Sequence, residues 1–167
     1  MVKKQAIPKH IQSCIDSLRS YLELFSGESI EFNENVHYKR EHCYELHVEP
    51  KKDNSCSFQI GISCKGGNGK GEFDILLDDY FHLEEIEFDE SIVLKLCEAV
   101  SEGKVTKHQQ YRDSKIISAH AVVHDVYEGG FYLKSNVADH FFSRIYYWFF
   151  KKNNTTVEKV VDYLPWL

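Results

Sequence analysis

No stretch of this sequence is long and apolar enough to cross a bilayer as a helix. The longest wholly apolar string is Ile145 to Phe150, against the roughly 20 residues a spanning helix needs. The basic residues of the N-terminal MVKKQAIPKH have no apolar run behind them, so a secretory signal is not expected, and the reading is a soluble, cytoplasmic protein with no membrane partner. CxxC pairs are also missing. Five cysteines, Cys14, Cys43, Cys56, Cys64 and Cys97, are odd in number and scattered, which speaks against a zinc knuckle and a disulfide framework and leaves buried free thiols as the expectation.

Prolines number only three, and charged residues make up 28% of the chain. That balance argues against disorder. With 43% hydrophobic residues in 167 positions, the chain can fill one core, so a single domain over 1–167 is expected.

Nucleotide-binding motifs fail on spacing. The segment GISCKGGNGKGEFD, Gly61 to Asp74, holds five of the nine glycines. A phosphate loop needs a glycine five residues before its Gly-Lys pair and a hydroxyl after it; here those places hold Cys64 and Gly71. The dinucleotide fingerprint fails too, since its third glycine falls on Glu72 or Asp74. A hairpin tip at Gly66-Gly67-Asn68-Gly69 accounts for the glycines without a ligand.

What is present is periodicity. Ile11, Ile15, Leu18, Leu22 and Phe25 recur at helical spacing behind Pro8 and before Gly27, which predicts a helix over 8–26. The pattern then alternates. Tyr44, Leu46 and Val48, then Cys56 to Cys64, then Phe73, Ile75 and Leu77 each take every second position, and with a weaker strand at Ile30 and Phe32 they predict an antiparallel meander. Asp89 can cap a helix through Ile92, Val93, Leu96, Cys97 and Val100 that stops at Gly103. Val105 to Arg112, Ile116 to Tyr127 and Phe131 to Leu133 read as extended. Asn136 to Lys152 is read as a helix by its charge order, with a strand as the alternative for so aromatic a segment. Thr155 with Glu158 makes a capping-box pattern ahead of Val157, Val160, Val161 and Leu164, predicting a last short helix. The expected fold is therefore α+β: an antiparallel β-sheet meander covered by an N-terminal helix, a central helix and C-terminal helical segments.

Nine histidines raise the question of metal. His120 and His124 sit four apart beside Asp125, but on a strand that spacing puts them about 13 Å apart, too far for one ion. His42, Cys43 and His47 lie among Glu41, Glu45 and Glu49, and Cys43 shares a strand face with His47, so a Cys–His nucleophile is conceivable. Neither group completes a motif, so no cofactor, metal or catalytic residue is assigned.

The sharpest signal is charge segregation. Glu72 to Glu102 holds eleven acids against Lys95 alone, a net of −10, while the whole chain is −6 and the remainder therefore +4. Its densest part, DDYFHLEEIEFDE, has seven carboxylates, no Lys or Arg, and Tyr80, Phe81 and Phe88 among them. EF-hand oxygen spacing is missing. Clustered acids steer a basic partner, aromatics anchor it, and nucleic acid is repelled. This acid-and-aromatic patch in a small acidic chain resembles the immunity proteins with which bacteria neutralise nuclease-type toxins. That resemblance implies a non-enzymatic inhibitor binding a basic protein, such as a cognate toxin, through Asp78, Asp79, Tyr80, Phe81, Glu84, Glu85, Glu87 and Phe88. The alternatives are a small hydrolase or metal-dependent enzyme on the His/Asp or Cys/His groups, and a subunit of a larger assembly joined through its aromatic C-terminal segment.

Overall fold

A computed structural model describes residues 7–25, 27–36, 43–64, 70–112, 115–135 and 156–167. The expected glycine tip at 66–69, His42 and the segment Asn136 to Lys152 lie outside the described residues.

The first helix, α1 (Lys9–Glu23), starts after Pro8, whose ring fixes φ at −56° and ends the preceding chain direction. Its stripe of Ile11, Cys14, Ile15, Leu18 and Leu22 is buried, each large aliphatic side chain stabilising the fold by roughly 1.5–3 kcal/mol. Five strands follow: β1 (Ile30–Val36), β2 (Tyr44–Pro50), β3 (Phe58–Ser63), β4 (Glu72–Leu77) and β5 (Phe81–Glu87). Next comes α2 (Glu90–Ser101), where Asp89 Oδ1 accepts from the Ser91 and Ile92 amides at 2.8 and 3.2 Å, satisfying donors that have no partner inside the helix. Then come β6 (Val105–Arg112), β7 (Lys115–Val123), β8 (Phe131–Ser135) and β9 (Val157–Asp162).

All nine strands form one sheet in the order β1-β2-β3-β4-β5-β8-β7-β6-β9, with every neighbour antiparallel. This corrects the expected helix-covered meander with C-terminal helical segments. Among the described residues there are only two helices, and the fold is mainly sheet. The short helix expected after Thr155 is instead β9, laddered on β6 from Tyr111↔Val157 to Thr106↔Asp162. A capping box is a local preference, whereas Val157, Val160 and Val161 are stiff at χ1 and favour a strand once the β6 edge offers a ladder.

The sheet has two halves, β1 to β5 and β8-β7-β6-β9, joined where Phe81 pairs with Ser135 and His82 with Lys134. The chain after β9 returns to the first half. Leu164 bridges Ser55 in parallel, the Trp166 indole donates to the Cys56 carbonyl at 2.9 Å, and the Trp166 amide donates to the Ser101 carbonyl at 2.9 Å. Trp166 is buried edge-on against Phe25. On the same side Lys107 of β6 reaches the β4–β5 turn, 3.5 Å from Asp78 and over the rings of Tyr80, Phe81 and Tyr163. One face of the sheet is thus closed by helices and tail, and the other lies open among the described residues.

Cysteine chemistry also departs from expectation. Cys43 and Cys64 form a disulfide, because Cys43 precedes β2 and Cys64 follows β3 in a pair whose register sets Tyr44 against Ile62. Cys14, Cys56 and Cys97 are free and buried. Burial, with Glu90 as a lesser cause, pushes the Cys14 thiol up to about 12, so it is an inert core group.

Candidate functional site

Strand alternation decides what the open face carries. With Phe58, Ile60, Phe73, Ile75, Phe81, Ala121 and Leu133 turned to the core, their neighbours point the other way. Chaining the registers gives a row across all nine strands: Asn33, His47, Gln59, Leu76, His82, Lys134, His120, His108 and Val160. Four imidazoles and a lysine therefore share one line. On either side of the β5–β8 junction the face has a different character.

On the first half the row borders a groove of about 350 Å³ walled by Glu45, Asp74, Glu84 and His82, with Gln59 and Gly61 beneath. A bulge builds it. Phe73 pairs with Ile86 and Ile75 with Leu83, so Glu84 and Glu85 together oppose Asp74. Glu85 has φ +56°, a left-handed conformation that a residue of this size rarely takes, and its amide donates to Asp74 Oδ1 at 2.7 Å. Gly61 stands opposite both Glu45 and Asp74 and contributes no side chain of its own between them.

The residues expected to bind a partner separate into three environments. Asp78 and Asp79, with φ +55° and +51°, form the β4–β5 turn closed by the Tyr80 amide on the Leu77 carbonyl at 3.1 Å, and Asp tolerates this geometry better than most residues. Asp78 accepts from the Tyr163 hydroxyl at 2.6 Å; burial first, then this bond, pushes the Tyr163 phenol up. Asp79, Glu84 and Glu85 are exposed, and Tyr80 is half-buried with its ring edge 4.9 Å from Phe81. Glu87 pairs with Lys70 at 2.6 Å. Phe81 and Phe88 belong to the core, so they offer no contact area, which corrects their expected role. Glu45 and Asp74 are not among the residues the sequence assigns to partner binding, although each stands on the wet side of an alternating strand.

On the second half the rings of His108 and His120 stack 4.6 Å apart with planes 3° apart. His108 Nδ1 lies 3.4 Å from Glu158 Oε1, and Tyr132, 59% exposed, flanks His120 at 6.3 Å. Burial first, then the neighbouring His108, holds His120 below the ordinary imidazole value against the pull of Glu158. Thr106 Oγ1 donates to Asp162 Oδ1 at 2.8 Å and meets His124 Nε2 at 2.9 Å.

Cys43 is bonded to Cys64 and faces His47 as no thiol. His120 stacks on His108, His124 meets Thr106, and Asp125 pairs with Lys104 at 2.8 Å, so those three do not form one hydrogen-bonded set. Among the described residues, no three His, Cys, Asp or Glu side chains group as a metal centre and no helix is long and apolar enough to cross a membrane. Neither family models, nor curated proteins, nor solved structures give a match to this chain.

Proposed function

We propose that the chain is a non-enzymatic binding protein whose acidic groove takes a basic side chain of a protein partner, in the manner of an immunity protein that blocks a nuclease-type toxin. The supporting observation is the bulge at Asp74, Glu84 and Glu85, which gathers Asp74 and Glu84 with Glu45 along one groove over Gln59 and Gly61. Backbone strain of the kind held by Glu85 persists where the surroundings enforce it, and it concentrates at functional sites. Carboxylates around a groove speed encounter with a cationic partner, and enclosure raises the worth of each contact. The interface then consists of Glu45, Asp74, Asp79, Glu84 and Glu85 with Tyr80 at its margin, rather than the contiguous run Asp78 to Glu90.

A cytoplasmic setting belongs to this proposal only if it spares the Cys43–Cys64 bridge, since reducing compartments keep thiols free. The test is association with the protein encoded beside this one, followed at low and high salt, for the native chain and for E45K/E84K/E85K. Slower, salt-independent association of the variant is expected, together with loss of protection when the two proteins are co-expressed. Unchanged affinity after all three reversals would remove the groove as the interface.

A further inference from the structure

We infer that His108 and His120 form a two-imidazole site for a borderline divalent cation of the zinc, nickel or copper class, with Glu158 orienting His108. The sequence offers His120 and His124 as the obvious pair, but the ladder brings His120 to His108 instead, directly opposed across β6 and β7. Directly opposed Cβ atoms in an antiparallel pair stand about 4.5–5.5 Å apart. From there two imidazole nitrogens can reach one ion at roughly 2.0–2.1 Å. The rings already lie stacked at 4.6 Å, and χ2, a soft torsion for histidine, lets their nitrogens turn toward a shared ion.

Glu158 supplies the second observation. Its Oε1 is 3.4 Å from His108 Nδ1, and because a carboxylate only accepts, that nitrogen carries the proton and the lone pair of the neutral ring falls on Nε2. A carboxylate behind a histidine is the arrangement that fixes the tautomer and raises the basicity of metal-binding imidazoles. Imidazole suits zinc, nickel and copper better than calcium or magnesium, and water completes the coordination. Lys134, opposite His120 on β8, opposes the ion, whereas Glu158 and Asp162 on β9 favour it.

Zinc titrated into the intact chain, followed by calorimetry and by imidazole ¹⁵N shifts, tests the site. One ion per chain is expected. H108Q and H120Q should each abolish uptake, H124Q should leave it unchanged, and E158Q should weaken it roughly ten- to hundred-fold. Before any metal is added, E158Q should also erase the Nδ1–H preference of His108, a signature that loss of mere packing does not produce. Should a substituted chain fail to fold, nickel added to the native protein gives the same decision through which histidine resonances broaden. Broadening led by His108 and His120 supports the site. Broadening centred elsewhere, uptake that survives in H108Q/H120Q, or no saturable uptake at millimolar zinc overturns it.

Discussion

The two halves of the open face are polar for different reasons. On the carboxylate half the ladder is broken: two residues of β5 stand against Asp74, and Glu85 is held left-handed to allow it. On the imidazole half the β6–β7 ladder keeps its register from Val105 to Gln110 and shifts only beyond it, between Gln110 and Tyr111, so direct opposition sets the His108 ring on His120. A broken ladder costs stability and brings together side chains that regular pairing would keep apart. A regular ladder gathers its groups without strain. The first half therefore carries the stronger indication that a grouping is retained for binding, and the second carries the cleaner geometry.

The largest break in this comparison is to uncouple the halves. Trp166 is the buried anchor by which the tail of the second half grips the first, donating to Cys56 and packing on Phe25. W166A should cost about 3–5 kcal/mol, the range for deleting a buried large aromatic. Denaturant unfolding measures it. If the loss is below 1 kcal/mol, the two halves do not depend on this clamp.

Next in size is the bridge that belongs to the first half alone. Cys43 and Cys64 close a loop with a sequence separation of 21, for which chain entropy gives about 3 kcal/mol. C43S/C64S should lower stability by that amount and leave the imidazole shifts of His108 and His120 in place. Movement of those shifts would mean that the halves communicate through the β5–β8 junction.

Part of the fold is legible in the sequence, while the nine-strand sheet and its two halves are not, and the limits have physical causes. Helices α1 and α2 and the strands of the meander follow from periodicity, because one buried face imposes its spacing locally. Strand β9 was not legible, since whether Val157 to Asp162 ladders depends on β6, nearly fifty residues earlier in the chain. The same holds for the sites. Charge density pointed to Asp78 to Glu90, but only register places Glu84 beside Glu45 and Asp74, sends Phe81 and Phe88 inward, and gives His120 its partner in His108.

A smaller change sharpens the claim about strain. Gly at position 85 would relieve the left-handed backbone, so E85G should raise stability by about 0.5–1 kcal/mol after the greater freedom of glycine in the unfolded chain is subtracted. The same substitution removes one carboxylate from the groove margin, so weaker partner binding in a more stable protein is the expected combination. A destabilised E85G would mean that the Glu85 side chain holds the bulge together, and the strain argument for the groove would fail.

The smallest effect concerns the turn that follows β7 in the imidazole half, where Asp125 is itself left-handed at φ +64°. Lys104 lies 2.8 Å from Asp125 and 2.8 Å from Glu102, and its ammonium, by hydrogen bonding first, holds the Asp125 carboxyl below its ordinary value of 3.8. A carboxyl depressed in the folded state binds fewer protons there than in the unfolded chain, so its contribution is present above about pH 3.8 and fades as pH falls through the lower folded value. D125N should therefore be slightly less stable than the native chain near neutrality, and the two stability curves should converge in acid. The side chain is 67% exposed, so solvent screening keeps the difference small and added salt should shrink it further. Curves that stay parallel into acid would mean that the turn is held by its backbone, through Gly129 and Gly130 at φ +89° and +92°, and that charge pairing adds nothing to the imidazole half of the sheet.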